Sequence, residues 1–231
     1  MAMLPKSLRD FRYRIFYGLF LRRGFELVTL GDQSFGLQWT VCPTFLNAQS
    51  VIYSAGVGDE ISFERELVKR FGCNVVLLDP SPMGVRTMEL PENQIPQFKF
   101  FPAALAGHTG KLKVALRPNE AEPWFVRNDG AATESFEIPC VDLQSLMKQN
   151  GHTHIDLLKL DIEGSEYDVI DNLLDRGIPV RQVCADFDYG YVPGVRRSQA
   201  IRSIVKMAAR GYRLLHQDGS NHLFMRKQWP A

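Results

Sequence analysis

The 231-residue sequence is poor in cysteine and places none of it in a metal- or redox-type spacing. Cys42, Cys73, Cys140 and Cys184 are scattered, with no C-x-x-C pair and no histidine at zinc-like distance. That excludes a disulfide framework, a thioredoxin-type motif and a zinc finger. Three of the four lie in apolar runs and read as small core residues of a protein kept in a reducing, cytoplasmic setting. The five histidines form no H-x-x-x-H pattern, so a zinc site is not expected. No stretch approaches the roughly 18–20 apolar residues of a membrane span. The apolar run Ile15–Leu21 ends at Arg22-Arg23 with no small-x-small pattern after it, which makes a poor signal peptide. Charge of one sign is also missing: the net charge of +1 gives no field that would gather nucleic acid. Repeats and low-complexity segments are absent.

What is present is an ordinary globular composition, 45% apolar and 23% charged, enough for one domain with a substantial core. The small net charge hides an asymmetry. Residues 1–25 hold Lys6, Arg9, Arg12, Arg14, Arg22 and Arg23 against Asp10, a charge of +5, which leaves about −4 on the rest. Leu4, Leu8, Phe11, Ile15 and Leu19 recur at helical spacing among these arginines. Residues 1–34 therefore read as a basic amphipathic helix with its lead-in. The helix either packs on the domain by that apolar face or contacts a membrane surface or a partner.

From residue 50 onward, short apolar runs alternate with helical patterns, the mark of a parallel sheet built from βα repeats. Ser50–Ala55, Asn74–Asp79, Phe98–Leu105, Ile155–Asp161 and Val180–Phe187 read as five central strands. Helices are expected at Glu60–Phe71, from Met83, at Leu143–Gln149 with Asp142 as N-cap, after Glu166, and at Arg196–Arg210. Residues 111–141 read as an insertion: strands Lys111–Leu116 and Phe136–Val141 joined by a long surface loop at 117–135. That loop carries Trp124 and Phe125, aromatics placed either to cover a substrate or to pack on the domain. Tyr212–His216 and His222–Arg226 flank Asp218-Gly-Ser-Asn221, a closing antiparallel hairpin.

The first strand ends Tyr53-Ser-Ala-Gly-Val-Gly-Asp-Glu60. Gly56 and Gly58 would let the backbone turn sharply and approach a ligand. Asp79 ends the next strand 21 residues after Gly58, where a carboxylate accepts hydrogen bonds from ribose hydroxyls. Together they indicate an adenosine-containing cofactor. A dinucleotide fingerprint would need Gly or Ala at position 61, but the residue is Ile61, and Asp59 and Glu60 would repel a pyrophosphate. The same acids suit a cofactor with a cationic end, so S-adenosylmethionine is favoured over NAD.

Ser54-Ala-Gly-Val-Gly-Asp-Glu-Ile-Ser-Phe63, Leu78-Asp-Pro-Ser-Pro82, Ala103-Ala-Leu-Ala-Gly-His108 and Leu157-Leu-Lys-Leu-Asp-Ile-Glu-Gly-Ser-Glu166 together resemble the FkbM family of methyltransferases. The resemblance spans about residues 35–226 and makes 35–231 the methyltransferase domain. It implies an α/β, class I (Rossmann-like) fold: a seven-stranded sheet with an antiparallel last strand and helices on both faces. It implies S-adenosylmethionine as cofactor, with Ala55, Gly56, Gly58 and Asp59 at its methionine part, Asp79 on the ribose and Ala104 near adenine. It further implies O-methylation of a hydroxyl on a sugar, polyketide or other small metabolite. Ser54 stands where many class I methyltransferases have an acid for the cofactor's ammonium group, a task open to Asp59 or Asp161. Glu60 replaces the usual third glycine.

Four acids converge at strand ends: Asp161 and Glu163, then Asp186 and Asp188. Three readings stay open. Asp161, Asp186 and Asp188 hold a divalent metal such as Mg, an arrangement similar to catechol-type O-methyltransferases. Asp161 or Glu163 is instead a metal-free general base. In the third, the acids are structural, with Glu163 or Glu166 capping the following helix or Asp186 pairing with an arginine. Two rival functions also remain, a nicotinamide-dependent oxidoreductase and a non-catalytic binding module.

Overall fold

The computed structural model describes residues 6–32, 38–116, 125–127, 135–189 and 191–229. In chain order its main elements are α1 (Lys6–Phe20), β1 (Val51–Ala55), α2 (Ser62–Phe71), β2 (Asn74–Leu78), α3 (Pro82–Glu89) and β3 (Phe98–Phe101). They continue as α4 (Leu143–Asn150), β4 (Ile155–Leu160), α5 (Glu166–Arg176), β5 (Val180–Asp186), α6 (Arg197–Ala209), β6 (Tyr212–Asp218) and β7 (Asn221–Arg226). The seven strands form one sheet in the order β6-β7-β5-β4-β1-β2-β3. β1 to β5 pair in parallel, and β7 runs antiparallel to both neighbours. This is the class I methyltransferase arrangement expected from the sequence. The order reverses beside β1, so β1 and β4 diverge at the switch point where open α/β sheets bind ligands.

β4 lies in the middle of this sheet, and all six of its residues are buried. Successive side chains of a strand point to opposite faces, and the two cores divide accordingly. Leu158 and Leu160 pack with Leu146, Ile170, Leu173 and Ile204 beneath α4, α5 and α6. Leu157 packs with Ile52, Leu67, Val75 and Leu77 beneath α2. Asp142 caps α4 as expected, its side chain accepting from the Ser145 N–H.

Four expectations change. Phe98–Leu105 is not one strand: it breaks at Pro102, which lacks the N–H a sheet strand needs. Ala104–Leu105 then joins a second, four-stranded sheet with Phe136–Val141, Gly110–Leu116 and Phe125–Arg127. The 117–135 segment is not wholly loop, because Phe125–Arg127 pairs with Val114–Leu116; Trp124 lies outside the described residues. Residues ahead of β1 carry an unforeseen antiparallel pair, Val28–Leu30 with Trp39–Val41. Finally, α1 packs by a different face. Phe16, Tyr17 and Phe20 meet the core, whereas Ile15 and Leu19 are 51% and 65% exposed. Tyr17 is anchored by His222, whose Nδ1–H donates to the Ser220 carbonyl at 2.6 Å and leaves Nε2 to accept from the tyrosine hydroxyl at 3.1 Å. No helix among the described residues is long and apolar enough to cross a membrane.

Candidate active site

The carboxyl ends of β1, β2 and β4 open into a cleft of about 910 Å³, mouth included. One wall is the turn after β1. Gly56 adopts φ +92°, and a Cβ there would lie 1.9 Å from the Asp161 carbonyl oxygen, so only glycine lets the two strand ends approach. Asp79, 6% exposed, locks this turn. Its Oδ2 accepts the Val57 and Gly58 N–H groups at 2.9 Å each, and Oδ1 accepts the Ser81 N–H at 2.7 Å. A carboxylate has about four acceptor sites, so the Asp79 side chain keeps capacity for one further donor from the cleft. The Thr87 hydroxyl adds a bond to the Gly58 carbonyl at 2.7 Å. The opposite wall is apolar: Leu105, Leu112, Val114 and Ile138, most of it supplied by the four-stranded insertion.

At the back of the cleft sits a lysine near the carboxyl end of β4. Lys159 is 5% exposed, and its Nζ donates to the Gly56 carbonyl at 2.7 Å. It lies 3.5 Å from Glu64 Oε1 and 3.6 Å from Asp161 Oδ2, above the Trp39 ring at 5.3 Å. Glu64, 1% exposed in the first turn of α2, also accepts from the Ser54 hydroxyl at 2.5 Å. Burial alone would lower the Lys159 pKa. Glu64 and Asp161 outweigh it and raise the value, so the ammonium stays charged. The Asp161 pKa is raised, chiefly by burial and against the pull of Lys159, although its side chain keeps 30% exposure at the cleft.

The turn after Asp161 is tied down by Glu166, whose carboxylate accepts the Ile162 N–H at 2.7 Å and the Gly164 N–H at 2.9 Å. Burial pushes Glu166 up to about 8, while its own backbone amide and that of Ile162 pull it down. Glu163 lines the cleft with φ +52°, a left-handed conformation that costs a non-glycine residue free energy. Asp188 is likewise left-handed, at φ +46°. It is 7% exposed, and its Oδ2 finds no hydrogen-bond partner. Burial, then the charges of Glu166, Asp186, Glu163 and Asp161, push Asp188 up to about 11.

Of the expected cofactor residues, Gly56, Gly58, Asp59, Asp79 and Ala104 line the cleft, as do Asp161 and Glu163. Ala55 does not; it is fully buried in the core beneath α4 to α6. Glu60 turns back to accept from Ser62 at the start of α2 and pairs with Arg65 at 3.7 Å, leaving Asp59 exposed at the mouth. Asp186 and Asp188 feel the charge of Asp161 but lie outside the cleft lining. Among the described residues no group of three or more His, Cys, Asp or Glu is arranged to hold a metal ion. Asp161, Asp186 and Asp188 therefore do not fit as a metal's ligand set: Asp161 is already tied to Lys159, and Asp186 and Asp188 stand away from it outside the cleft lining. Glu166 takes the structural role. Sequence reasoning missed Lys159 and Glu64. Lysine among Ile155–Leu160, and an acid between Phe63 and Leu67 on the buried stripe of α2, were the available signals.

A family model described as the Methyltransferase FkbM domain matches residues 47–214, more than half of the chain. No curated protein matches it in sequence. Among solved structures, an rRNA methylase from Streptococcus thermophilus is similar at 10% identity, over 80% of this chain and 90% of that one, with a TM-score of 0.44. A fibrillarin pre-rRNA processing protein from Methanococcus jannaschii shares 8% identity over 78% of this chain and 68% of that one, TM-score 0.44. A Streptococcus mutans protein solved in complex with SAH shares 10% over 97% and 98%, TM-score 0.44. Likeness at that level says nothing of activity or substrate. The matched segment runs from just before β1 into β6 and contains the glycine turn, Asp79 and the Asp161–Glu166 turn, and on that match the chain belongs to the FkbM family of methyltransferases.

Proposed function

We propose that this S-adenosylmethionine-dependent methyltransferase acts on a hydroxyl group of a small molecule or sugar, with Asp161 receiving the hydroxyl proton. The observation that carries the reading is the position of Asp161: at the end of β4, 30% exposed in the cleft, and raised above the usual carboxylate range. A carboxylate whose pKa moves toward neutrality is a stronger proton acceptor than an ordinary one. Bound cofactor supplies a methyl group on a sulfonium, open to in-line displacement. The residues of the chain hold the partners in place. The turn at Gly56–Gly58 admits the cofactor's body, the remaining capacity of Asp79 takes a ribose hydroxyl, and Leu105, Leu112, Val114 and Ile138 form an apolar wall for a flat base. Glu163 faces the same space and orients the acceptor.

Calorimetry tests the cofactor half: S-adenosylhomocysteine should bind and NAD should not. No heat with S-adenosylhomocysteine would sink the reading. For the chemistry, Asp161→Asn should slow transfer to a hydroxyl acceptor by about a hundredfold or more, the usual contribution of a general base. Undiminished transfer would remove Asp161 from that role.

A further inference from the structure

We propose that Glu64 supplies the negative charge for the ammonium of the cofactor's amino-acid end, a charge moved here from the end of β1 onto α2; this rests on the cofactor reading above. Position 54 is where an acid for that ammonium would be expected, and Ser54 carries no charge. Ser54 and Lys159 are paired in register on adjacent parallel strands, so an acid at 54 would stand beside the lysine. Instead the Ser54 hydroxyl donates to Glu64, which reaches the same spot from ten residues further on. Glu64 borders the cleft next to Gly56, Lys159 and Asp161. The row Glu64, Lys159, Asp161 sets an acid on either side of one ammonium group. Two carboxyl groups about one cation match a ligand end that carries a sulfonium, an ammonium and a carboxylate. A lone glutamate buried to this degree without a ligand-facing task would be served as well by an apolar residue, had Lys159 not been kept with it. The helix-borne carboxylate and the strand-borne hydroxyl together do what one strand-end acid would do.

The test compares two ligands, S-adenosylhomocysteine and 5′-methylthioadenosine, which lacks the amino-acid end. Calorimetry on wild type, Glu64→Gln and the swap variant Ser54→Asp/Glu64→Gln gives the preference for the first ligand over the second. Loss of a charge-assisted contact should cut that preference by about tenfold or more in Glu64→Gln, with 5′-methylthioadenosine affinity held within about threefold. The swap should restore the preference to within about threefold, because the acid returns to its place beside Lys159. An unchanged preference in Glu64→Gln, or equal weakening of both ligands, overturns the proposal, the latter because it marks a purely structural role. If Glu64→Gln fails to fold, the swap decides alone: folded with the preference restored it supports the proposal, and any other result overturns it. Wild-type protein that binds neither ligand would instead bring down the cofactor reading, and this inference with it.

Discussion

Two corners of the same sheet end handle buried acids in opposite ways. Where β1 meets β4, Glu64 and Asp161 share one cation, Lys159, at 3.5 and 3.6 Å. Where β4 meets β5, Glu166 and Asp188 lie beside Asp186, and among the described residues no lysine or arginine pairs with them. In the first corner the shared cation stays charged. The second has no cation to hold charge: burial pushes Glu166 up to about 8 and Asp188 up to about 11. Residue type is the same in both corners, and the neighbouring cation, which pulls Asp161 down against burial, is what the second corner lacks. A site that must face a cationic ligand needs the first kind of corner. The second kind fixes the backbone, as Glu166 does for the turn it spans.

Breaking the compensated corner should have the largest effect. Lys159→Met strands two acids at the back of the cleft and should cost about 3–5 kcal/mol, with the melting temperature down by roughly 10 °C. Lys159→Met/Glu64→Leu should recover about half of that loss, since removing both partners spares the uncompensated charge. A single variant as stable as wild type would mean that the row of charges is slack. Next comes Glu166→Gln, which leaves one of the Ile162 and Gly164 amides facing a donor. It should cost about 1–3 kcal/mol in chemical denaturation.

Asp188→Asn should work in the other direction. The folded protein holds this proton far above the value of about 3.9 of an unfolded aspartate, so across that interval the folded state binds more protons and stability falls as pH rises. The amide removes that slope and also tolerates the left-handed conformation better. The variant should melt higher by roughly 3 °C, with more gain at about pH 9 than at about pH 5. A gain independent of pH would show that Asp188 is ionised after all. The smallest expected effect is none: methyl transfer in excess chelator should stay within about twofold of untreated enzyme. Loss of activity that magnesium restores would return Asp161 and Asp186 to a metal-binding role.

Most of the sheet was legible because periodicity and turn residues are local properties. A continuous apolar run marked β2 as a doubly covered strand, short apolar runs between turn residues marked β1, β4 and β5, and Asp142 announced α4. The failures share a cause. α1 has apolar residues on two helical faces, 15/19 and 16/20, and only the shape of the core selects between them. Phe125–Arg127 has no pattern of its own and becomes a strand because Val114–Leu116 offers it a ladder. The pairing of Glu64 with Lys159 spans 95 positions and depends on α2 lying over β4, which no local pattern encodes. The carboxylates at strand ends were visible, but whether each is charged was not, since that depends on neighbours brought in from elsewhere.

The absent side chain at Gly56 has a mechanical consequence. With the Asp161 carbonyl resting where a Cβ would be, the turn after β1 and the turn after β4 touch with no slack between them. They behave as two teeth of one gear: whatever shifts the first shifts the second. A ligand settling against residues 56–58 would therefore bear on residue 161 through this single backbone contact.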